Sequence, residues 1–368
     1  MVILIRCNDV QSDPRAMKYV KYLQENDIEH YLIGWDRDGD NPSITNASLW
    51  KRKYTHNAGG FYAVKYRIGF MWHVYKQLCR IKPKNAILHG CDVDSAFPAA
   101  CYKLFHPSNK LIFDIFDWFS ATLYDSKKYV LLAFKLMEKF SVNISDRIII
   151  CEPERIEQIP FEVSEAKWSV LPNIPYFKDD SFLKVDSNKV FDNNLLTFSY
   201  VGGFSPDRCL FEIVNIAEKG LINLSIAGFG NEELENRLKQ DTEKFSNIRY
   251  YGKVKYQDGL NISYNSDVMY AMYSIQNPNH VYAAPNKYYE AMFLGKPIFS
   301  TKNTIVEKKV LDHQMGYISG ESEEDIISTI KAINKSDLKT KGEAAKACWL
   351  STYKDYTQNY MKTEYLNL

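Results

Sequence analysis

The sequence predicts an α/β protein in which two domains each carry a parallel sheet covered by helices. Three observations lead to this fold class. Short apolar runs alternate with amphipathic helical stretches along the chain, the connections between them are short, and the alternation restarts after a polar stretch near the middle. At 368 residues, the chain also has the length of two ordinary domains.

The first half begins with an apolar strand at 2–5, a polar loop, a helix opened by Pro14 and a second strand at 28–33. Residues 36–55 are polar, which predicts irregular structure. Ser95 is expected to cap a helix over 96–104. Further strands are predicted within 86–94 and at 111–115, 147–150 and 167–171, and a further helix at 126–141.

Several polar residues of this half follow predicted strands. His89 and Asp92 belong to one strand and the loop after it, and Asp114 and Asp117 end another. Repeated β-α units with short connections give a parallel sheet, and ligands bind at the carboxyl ends of such strands. We therefore expect His89 and Asp92 at the carboxyl edge of the sheet. The first strand lacks the Gly-x-Gly-x-x-Gly pattern of a classical dinucleotide site.

A polar stretch at 176–194 has the composition of an interdomain linker, and a new strand is predicted at 195–201. The predicted limits are a first domain at 1–175, the linker, a second domain at 195–345 and a C-terminal helix at 346–368 that packs back toward the first domain. Later strands are predicted within 224–231, 248–254 and 267–272 and at 315–318, with helices through 211–217, at 322–333 and from 341 onward.

The most informative stretch is 284–297. A loop containing Pro285 precedes a helix of about three turns, which Gly295 ends before an apolar strand. The start of such a helix offers unpaired backbone N–H groups and a positive dipole end, both suited to a phosphate. Glu290 lies one turn in, where it can accept hydrogen bonds from sugar hydroxyls. The alternative is that Glu290 only complements the helix dipole.

Gly202 and Gly203 follow the strand that opens the second half, and Arg208 lies just beyond them. A pair of glycines between a strand and a helix lets a ligand approach the backbone closely, although the same pair also suits an ordinary turn. Arg208 could contact a phosphate through two parallel hydrogen bonds.

The net charge of +1 gives no general indication of nucleic-acid binding, but residues 51–110 contain eleven Lys and Arg against Asp92 and Asp94. Within them, residues 60–84 mix aromatic and basic side chains on a predicted helix. One interpretation is a helix packed on the core, whose cations extend to water. The other is a helix that lies on a membrane surface near a lipid-linked substrate.

Seven cysteines, odd in number and without a Cys-x-x-Cys pair, argue against a disulfide framework or a structural zinc site and favour a reducing cytoplasm. The first residues become charged too soon for a signal peptide, and no run of 18 apolar residues occurs. Asp92-Val-Asp94 matches the metal-binding Asp-x-Asp signature of some sugar transferases. Asp36 to Asp38 and Asp38 to Asp40 match it as well, so we predict no metal site.

Taken together, the motifs of the second half resemble glycosyltransferase family 4. They occur in the order typical of the family, and the block from Pro285 to Pro297, Pro-Asn-Lys-x-x-Glu-Ala-Met-x-x-Gly-Lys-Pro, is the most specific. The others are Gly202-Gly203, Ile226-Ala-Gly-Phe-Gly230, Tyr251-Gly-Lys-Val254 and the strand beginning Asp267-Val268. In the first half, Asn8-Asp9, Asp13-Pro14-Arg15 and Leu171-Pro172-Asn173 are typical of the family.

The resemblance implies a GT-B fold, in which two Rossmann-like domains with parallel sheets face a central cleft. It implies a retaining transferase that uses a UDP- or GDP-linked sugar as substrate and needs no cofactor. Glu290 would bind the ribose, Arg208 would neutralise the diphosphate and act in catalysis, and Asp117 and His89 would face the acceptor or the transferred sugar. The donor-binding residues implied are Gly202, Gly203, Arg208, Gly230, Val254, Pro285, Asn286, Lys287 and Glu290.

Two positions depart from the family pattern. Tyr282 stands where many members have a first Glu that contacts the sugar, and Gly203 stands where many have Arg. The expected acceptor is a lipid-linked glycan of surface polysaccharide synthesis, which places the protein in the cytoplasm with peripheral contact, through 60–84, at the inner face of the membrane. The alternatives are a GT-B sugar-nucleotide epimerase and a non-catalytic partner that only binds a glycan or another transferase.

Overall fold

A computed structural model describes residues 1–8, 13–37, 46–53, 61–123, 126–177, 179–185, 191 and 194–368. Asp9, Asp38 and Asp40, Gly60 and much of the expected linker lie outside the described residues. The chain divides into two compact units. The first contains Met1–Pro172 together with Thr357–Leu368, and the second contains Asn173–Tyr356. The first division falls three residues before the predicted limit at 175, and the C-terminal piece starts eleven residues after the predicted 346.

The first unit is a parallel sheet with helices packed on it. In its described part, seven strands pair in the order β3-β2-β1-β4-β5-β6-β7. Its elements are β1 (Val2–Arg6), α1 (Pro14–Glu25), β2 (His30–Asp36), β3 (Ala47–Lys51), α2 (Phe61–Ile81), β4 (Ile87–Cys91), α3 (Val93–Phe105), β5 (Lys110–Ile115), α4 (Lys128–Ile144), β6 (Arg147–Ile150) and β7 (Trp168–Val170).

The inner strands are buried because they carry apolar residues on both faces. In β1, Ile3 and Ile5 are fully buried, and Leu4 aligns with Leu32 of β2 and His89 of β4. Asp13 caps α1 by accepting hydrogen bonds from the amides of Arg15 and Ala16. The predicted alternation of strands and helices in this half is therefore confirmed, and the carboxyl ends of its strands share one edge.

Two predictions for this unit are wrong. Residues 36–55 contain a strand, β3, which pairs with β2 at the edge of the sheet. Its residues are half-buried along most of the strand, so the alternation that indicates a strand is absent. Ser95 does not cap a helix. Helix α3 begins at Val93, directly after Asp92, whose positive φ of 63° changes the direction of the chain. Ser95 is fully buried inside that helix.

The C-terminal residues of the chain belong to the first unit. The last helix, α13 (Tyr356–Tyr360), ends at Tyr360, whose hydroxyl is hydrogen-bonded to that of Ser169 at 2.6 Å. Tyr365, in a π-turn at Met361–Tyr365, is bonded in the same way to Nδ1 of His89 at 2.7 Å. Both tyrosines are buried, so this segment completes the core of the first unit.

The second unit repeats the architecture, as predicted, with the described strands ordered β10-β9-β8-β11-β12-β13. Its elements are β8 (Thr197–Gly203), α5 (Leu210–Glu218), β9 (Asn223–Phe229), α6 (Glu232–Lys244), β10 (Ile248–Tyr250), α7 (Tyr256–Tyr264), β11 (Val268–Ala271), α8 (Pro278–Val281), α9 (Asn286–Leu294), β12 (Ile298–Thr301), α10 (Ile305–Asp312), β13 (Gly316–Ser319), α11 (Glu323–Lys331) and α12 (Lys335–Cys348), and α13 (Tyr356–Tyr360) follows them.

Helix α9 occupies a central place in this unit. Its residues from Tyr288 to Leu294 are all buried, and Tyr289, Met292 and Phe293 belong to a core cluster that also contains Met269 of β11. This burial fixes the position of the start of the helix relative to the carboxyl ends of β8 and β11. Among the helices that the structure describes, none combines the length and the apolar character required to cross a membrane.

Candidate functional site

The start of α9 has the predicted geometry. Pro285 is the N-cap with extended backbone, the helix runs over Asn286–Leu294, and Gly295 ends it with a φ of 66°. No side chain caps the N-terminus. The amides of the first turn and the positive end of the helix dipole are therefore available to an anion at this point of the described structure.

Glu290 is buried one turn into α9, with 7% of its surface exposed. The hydroxyl of Tyr256, the first residue of α7, donates a hydrogen bond of 2.9 Å to its Oε1. Burial raises the pKa of Glu290, while Lys287 and the bond from Tyr256 act in the opposite direction. Sequence reasoning missed Tyr256, because a partner 34 residues away leaves no local signal.

Lys287 reaches back from α9 to the end of β8. Its Nζ lies 4.6 Å from the ring centre of Tyr200, and a Cβ added to Gly202 would lie only 2.7 Å from that Nζ. Any side chain at Gly202 would therefore displace the lysine. A Cβ added to Gly203 would meet no atom within 4 Å, so the space above this residue is open in the described structure.

Arg208 approaches the same region from the turn Pro206–Arg208. Its guanidinium lies 4.0 Å from the ring centre of Tyr273, and its Nη1 is buried without a hydrogen-bond partner among the described residues. The carboxylate oxygen Oδ1 of Asp207 lies 3.8 Å from Nε of Arg208. Arg208 is thus half-buried and keeps one buried nitrogen, Nη1, that no described residue bonds.

A contact between the buried His280 and the half-buried Asp207, which the sequence did not reveal, supports the Arg208 turn. Nε2 of His280, in α8, lies 3.3 Å from Oδ2 of Asp207, and its Nδ1 is hydrogen-bonded to the carbonyl of Ser274 at 2.9 Å. Asn277 donates to the same Asp207 oxygen at 3.2 Å. These contacts attach the turn that carries Arg208 to the segment that leads into α9.

The structure therefore brings together Gly202, Arg208 and Lys287. Both cations act electrostatically on Tyr200: burial raises the pKa of its phenol, and Lys287 and Arg208 counteract this. Two cations without a saturating carboxylate, an open backbone and the start of a helix form an arrangement that can bind an anion with several oxygens, such as a diphosphate.

Gly230 and Val254 lie in the turns that follow β9 and β10. The N–H of Gly230 donates to Glu235 Oε1 at 2.7 Å, and a Cβ there would lie 2.6 Å from the carbonyl oxygen of Phe204. This glycine, with a φ of 142°, is thus accounted for by close packing of backbone. Val254 is half-buried in the turn after β10, where it packs near Gly259.

In the first unit, His89 lies elsewhere than expected. It is the third residue of β4 rather than an edge residue, and its side chain is fully buried. Its Nε2 lies 3.3 Å from Asp114 Oδ2, and Tyr365 occupies its Nδ1. The prediction that His89 faces an open edge is therefore wrong, because the C-terminal segment and α1 cover it. The ring of Tyr19, in α1, packs edge-on against the His89 ring, with 4.5 Å between the ring centres.

Asp117 lies beyond the end of β5, and 60% of its side chain is exposed. Its carboxylate is 3.3 Å from Nη2 of Arg155. The loop that carries it is held from below, because Oδ1 of Asp92 accepts hydrogen bonds from the amides of Phe116 and Asp117 at 2.9 and 3.3 Å. Asp117 is thus an exposed carboxylate on a fixed loop.

The Asp-x-Asp motif does not form a pair of free carboxylates. Asp92 is bonded to Arg6, and Asp94 is bonded to Arg67. Both carboxylates are already neutralised, which removes the reason for a cation to bind there. The second match involves Asp36, which is buried in β2, and Asp38, which lies outside the described residues, and the third match, Asp38 to Asp40, lies wholly outside them.

Within the described part of the chain, one set of three possible metal ligands comes close together: atoms of His89, Cys91 and Asp114 lie within 4.8 Å of one another. The set is unsuited to a metal ion. Arg15 Nη2 is 2.5 Å from Asp114 Oδ1 and supplies its positive charge. Burial, followed by the charge of Asp114, raises the pKa of Cys91 well above its usual range, which opposes the thiolate a metal would need.

Comparisons with known proteins show which solved structures share this fold. No family model matches the sequence, and no curated protein matches it. Among solved structures, sucrose-phosphate synthase from Thermosynechococcus elongatus is similar with a TM-score of 0.72 at 14% identity, over 98% of each chain. WaaG, a glycosyltransferase involved in lipopolysaccharide biosynthesis, matches with a TM-score of 0.64 at 10% identity, over 96% of this chain and 95% of that one.

A third similar structure is a UDP-N-acetylglucosamine 2-epimerase, with a TM-score of 0.56 at 12% identity over 96% of each chain. Identities this low show a shared fold alone. The two parallel-sheet units and these similarities establish the α/β GT-B fold that the sequence predicts. Because transferases and an epimerase share the fold, the choice between those activities depends on the site.

Proposed function

We propose that the protein is a glycosyltransferase of the hexosyltransferase type, which moves a sugar from a nucleotide-diphosphate-sugar to an acceptor. The observation that carries the proposal is the pair of cations Arg208 and Lys287 beside Gly202, in front of the uncapped start of α9. The similar structures include sugar transferases, which supports the same class by analogy of fold.

The leaving group of such a reaction is a nucleoside diphosphate, which gains negative charge as its bond to the sugar breaks. Arg208 would donate to it through Nη1, which has no described protein partner, and Lys287 would supply the second positive charge. The amides of Asn286 and Lys287 would complete the site, and the open space at Gly203 would admit the phosphates. Groups fixed in advance around developing charge lower a barrier strongly, so we propose that no metal ion is needed.

We assign Glu290 to the donor ribose. A buried carboxylate is a strong acceptor for vicinal hydroxyls, and among the described residues Tyr256 bonds its Oε1 while Oε2 receives no such bond. The position of Glu290, one turn into α9 after the phosphate-binding amides, suits the separation of a ribose from its diphosphate. Val254 and the turn after β9 that contains Gly230 would lie on the side of the base, which is uracil or guanine in this proposal.

We further propose that transfer proceeds with retention and that the acceptor is a lipid-linked glycan of surface polysaccharide synthesis. Among the described residues we see no carboxylate placed as a covalent nucleophile in the second unit, so the leaving phosphate would guide the acceptor hydroxyl. Asp117 would serve the acceptor, since it is exposed on a fixed loop. Contact of 60–84 with the inner membrane surface would bring the acceptor close.

The test of the donor site is Glu290→Ala. Loss of a charge-assisted hydrogen bond of about 1.5–3 kcal/mol would weaken nucleoside diphosphate binding about 10- to 150-fold, measured by calorimetry with UDP and GDP. Glu324→Ala, at an exposed acid of α11, is the matched control and should leave affinity unchanged. Unchanged affinity in Glu290→Ala would refute the ribose assignment. Undetectable binding of every common nucleoside diphosphate to the wild type would favour a non-catalytic binding partner instead.

The epimerase is the second candidate, because a solved epimerase shares the fold. Incubation with a UDP-sugar in the absence of acceptor separates the two activities. An epimerase interconverts the sugar and its epimer under these conditions, whereas a transferase at most hydrolyses the donor slowly. Appearance of an epimeric nucleotide sugar would overturn the transferase proposal while leaving the diphosphate site intact.

A further inference from the structure

Helix α4 exposes an apolar face that the fold does not use. Tyr129, Leu132 and Leu136 are 65%, 57% and 59% exposed, and their spacing of three and four residues places them on one side of the helix. The opposite side is the one that packs inward, through Phe134 and Val142. Three large apolar side chains along one outward face are more than the isolated exposed residue that any protein shows.

Helix α2 has a similar face. Ile68 and Trp72 are 56% and 58% exposed and lie one turn apart. Trp72 stacks on Tyr75 at 6.1 Å between ring centres, and Nζ of Lys76 lies 5.2 Å from the ring centre of Trp72. The indole is therefore held in place on the surface, with a cation beside it, instead of being buried.

The two helices are close to each other on the first unit. Phe119 lies between them: its ring centre is 4.3 Å from Cζ of Arg67 in α2 and 4.7 Å from the ring centre of Phe134 in α4. Both helices also pack against α3. The two helices that carry the exposed apolar residues thus lie in the same region of the first unit.

The charges on these helices have one sign. Every exposed charged side chain of α2 and α4 in the described part is a lysine or an arginine. Glu138, the acid of α4, is buried at 1% exposure, with Oε1 bonded to the amide of Ser120. The exposed cations are Lys65, Lys76, Arg80, Lys128, Lys135 and Lys139.

We infer that the outward faces of α2 and α4 form a single docking surface for an anionic lipid bilayer. This inference extends the peripheral contact proposed above from one helix to two, and it does not depend on the transfer reaction. Lysines attract acidic headgroups, while Trp72, Tyr129, Leu132 and Leu136 enter the boundary between headgroups and acyl chains. A nucleic acid would pair with the lysines but leave the leucines in water, so lipid fits the combination better.

The test is flotation of the full chain with vesicles of equimolar phosphatidylglycerol and phosphatidylcholine, and with pure phosphatidylcholine. We expect binding to the anionic vesicles and weak binding to the neutral ones. The double variant Leu132→Ser/Leu136→Ser should lower binding about tenfold or more, since partly buried leucines contribute to membrane affinity in proportion to their area. Lys128→Gln/Lys135→Gln/Lys139→Gln should lower it similarly and reduce its dependence on salt, since three of the six exposed cations remain.

The matched control is Leu311→Ser/Leu350→Ser, two leucines of the second unit with 56% and 55% exposure, which should bind vesicles like the wild type. Thermal unfolding and nucleoside diphosphate affinity, measured on the same variants, should be unchanged, so loss of membrane binding is separable from loss of the donor site. Absence of binding to anionic vesicles, or equal binding of the leucine variant and the wild type, would overturn the inference. A wild-type dimer that Leu132→Ser/Leu136→Ser dissociates, without vesicle binding, would show that a second copy covers the surface instead.

Discussion

Cations lie near the carboxyl ends of the strands in both sheets, but their pairing with carboxylates differs. In the first unit each of four arginines is paired with an aspartate: Arg6 with Asp13 and Asp92, Arg15 with Asp114, Arg67 with Asp94, and Arg155 with Asp117. In the second unit Arg208 has buried Nη1 without a described partner, and Lys287 lies over the ring of Tyr200. Cations paired with aspartates stabilise the fold, whereas Arg208 and Lys287 are the cations to which we assign an anionic ligand.

The two edges also differ in how the space at the ends of the strands is filled. At the first edge, the ring of Phe116 lies between two guanidinium groups, 4.2 Å from that of Arg6 and 3.9 Å from that of Arg15, so the charges also fix a loop. At the second edge, glycines at 202 and 203 replace side chains that would fill the space. Paired charges hold the first edge, whereas the second edge is the one at which we propose that a nucleoside diphosphate binds.

The largest expected effect tests the structural role of the first edge. Arg15→Met leaves Asp114 buried and without its cation, and breaking a buried ion pair in this way costs about 3–5 kcal/mol of unfolding free energy. Burial alone would raise the pKa of Asp114, but Arg15, with His89 and Tyr19, lowers it. Urea unfolding at neutral pH measures the loss.

The control for this experiment is Lys331→Met, an exposed cation of α11, which should change stability by at most about 0.5 kcal/mol. Arg15→Lys keeps the charge and should lose less than Arg15→Met, which provides a measurement if the latter does not fold. A loss below about 1 kcal/mol in Arg15→Met would contradict the structural role.

Glu138 is an exception within the first unit, because no cation is bonded to it in the described structure. Burial raises the pKa of its carboxyl to about 7, against hydrogen bonds from Ser120. A raised pKa gives stability that is complete below the unfolded value near 4.5 and is lost as the pH rises through about 7. The difference corresponds to roughly 3 kcal/mol.

Glu138→Gln should remove this pH dependence. Urea unfolding at about pH 5 and about pH 8 should show the wild type losing up to roughly 3 kcal/mol more than the variant between the two conditions. An equal change of the unfolding free energy with pH in the two proteins would mean that the Glu138 carboxyl does not ionise at a cost in the folded state. The same result would indicate that the charge of Glu138 is compensated in the first unit, like the charges of the paired aspartates.

The next effect concerns the second edge. Arg208→Met should weaken nucleoside diphosphate binding by about 1.5–3 kcal/mol, which is about 10- to 150-fold in Kd. It should change unfolding free energy by at most about 1 kcal/mol, because it breaks no described ion pair shorter than 3.8 Å. Calorimetry and urea unfolding on the same sample give both quantities.

Arg249→Met, at an exposed arginine of β10, is the matched control and should bind nucleoside diphosphates like the wild type. The comparison of the two edges would fail if Arg208→Met lost as much stability as Arg15→Met. It would also fail if the nucleoside diphosphate bound Arg208→Met with wild-type affinity.

The smallest effect is expected at Asp117. Its pair with Arg155 is largely exposed on the carboxylate side, and exposed pairs contribute about 0–1 kcal/mol. Asp117→Asn should therefore change unfolding free energy by less than about 1 kcal/mol and leave nucleoside diphosphate affinity unchanged. A fall in the rate of sugar transfer with both quantities unchanged would support its assignment to the acceptor. A large loss of stability would instead place Asp117 among the structural pairs of the first edge.

Some features of the site could be predicted from the sequence because their signals are local. The N-cap and the closing glycine of α9 lie within a few residues of Glu290, and Gly202 and Gly203 directly follow a buried strand. Strand β3 was missed because its half-buried edge position leaves no alternation. The partners of the site residues were missed for another reason: they are distant in sequence, 34 residues for Tyr256 and Glu290.

By itself, the sequence determined the α/β class, the restart of the β-α pattern and the position of Glu290 one turn into α9, because hydrophobic periodicity and helix ends are properties of neighbouring residues. The tertiary structure decided which charges are neutralised. Asp92 appeared as half of a metal motif until Arg6, 86 residues away, supplied its positive charge. Arg208 was a phosphate-binding candidate by its place after two glycines, and the structure placed it near Lys287 and Tyr200. Charge balance depends on distances in space, which the order of residues does not record.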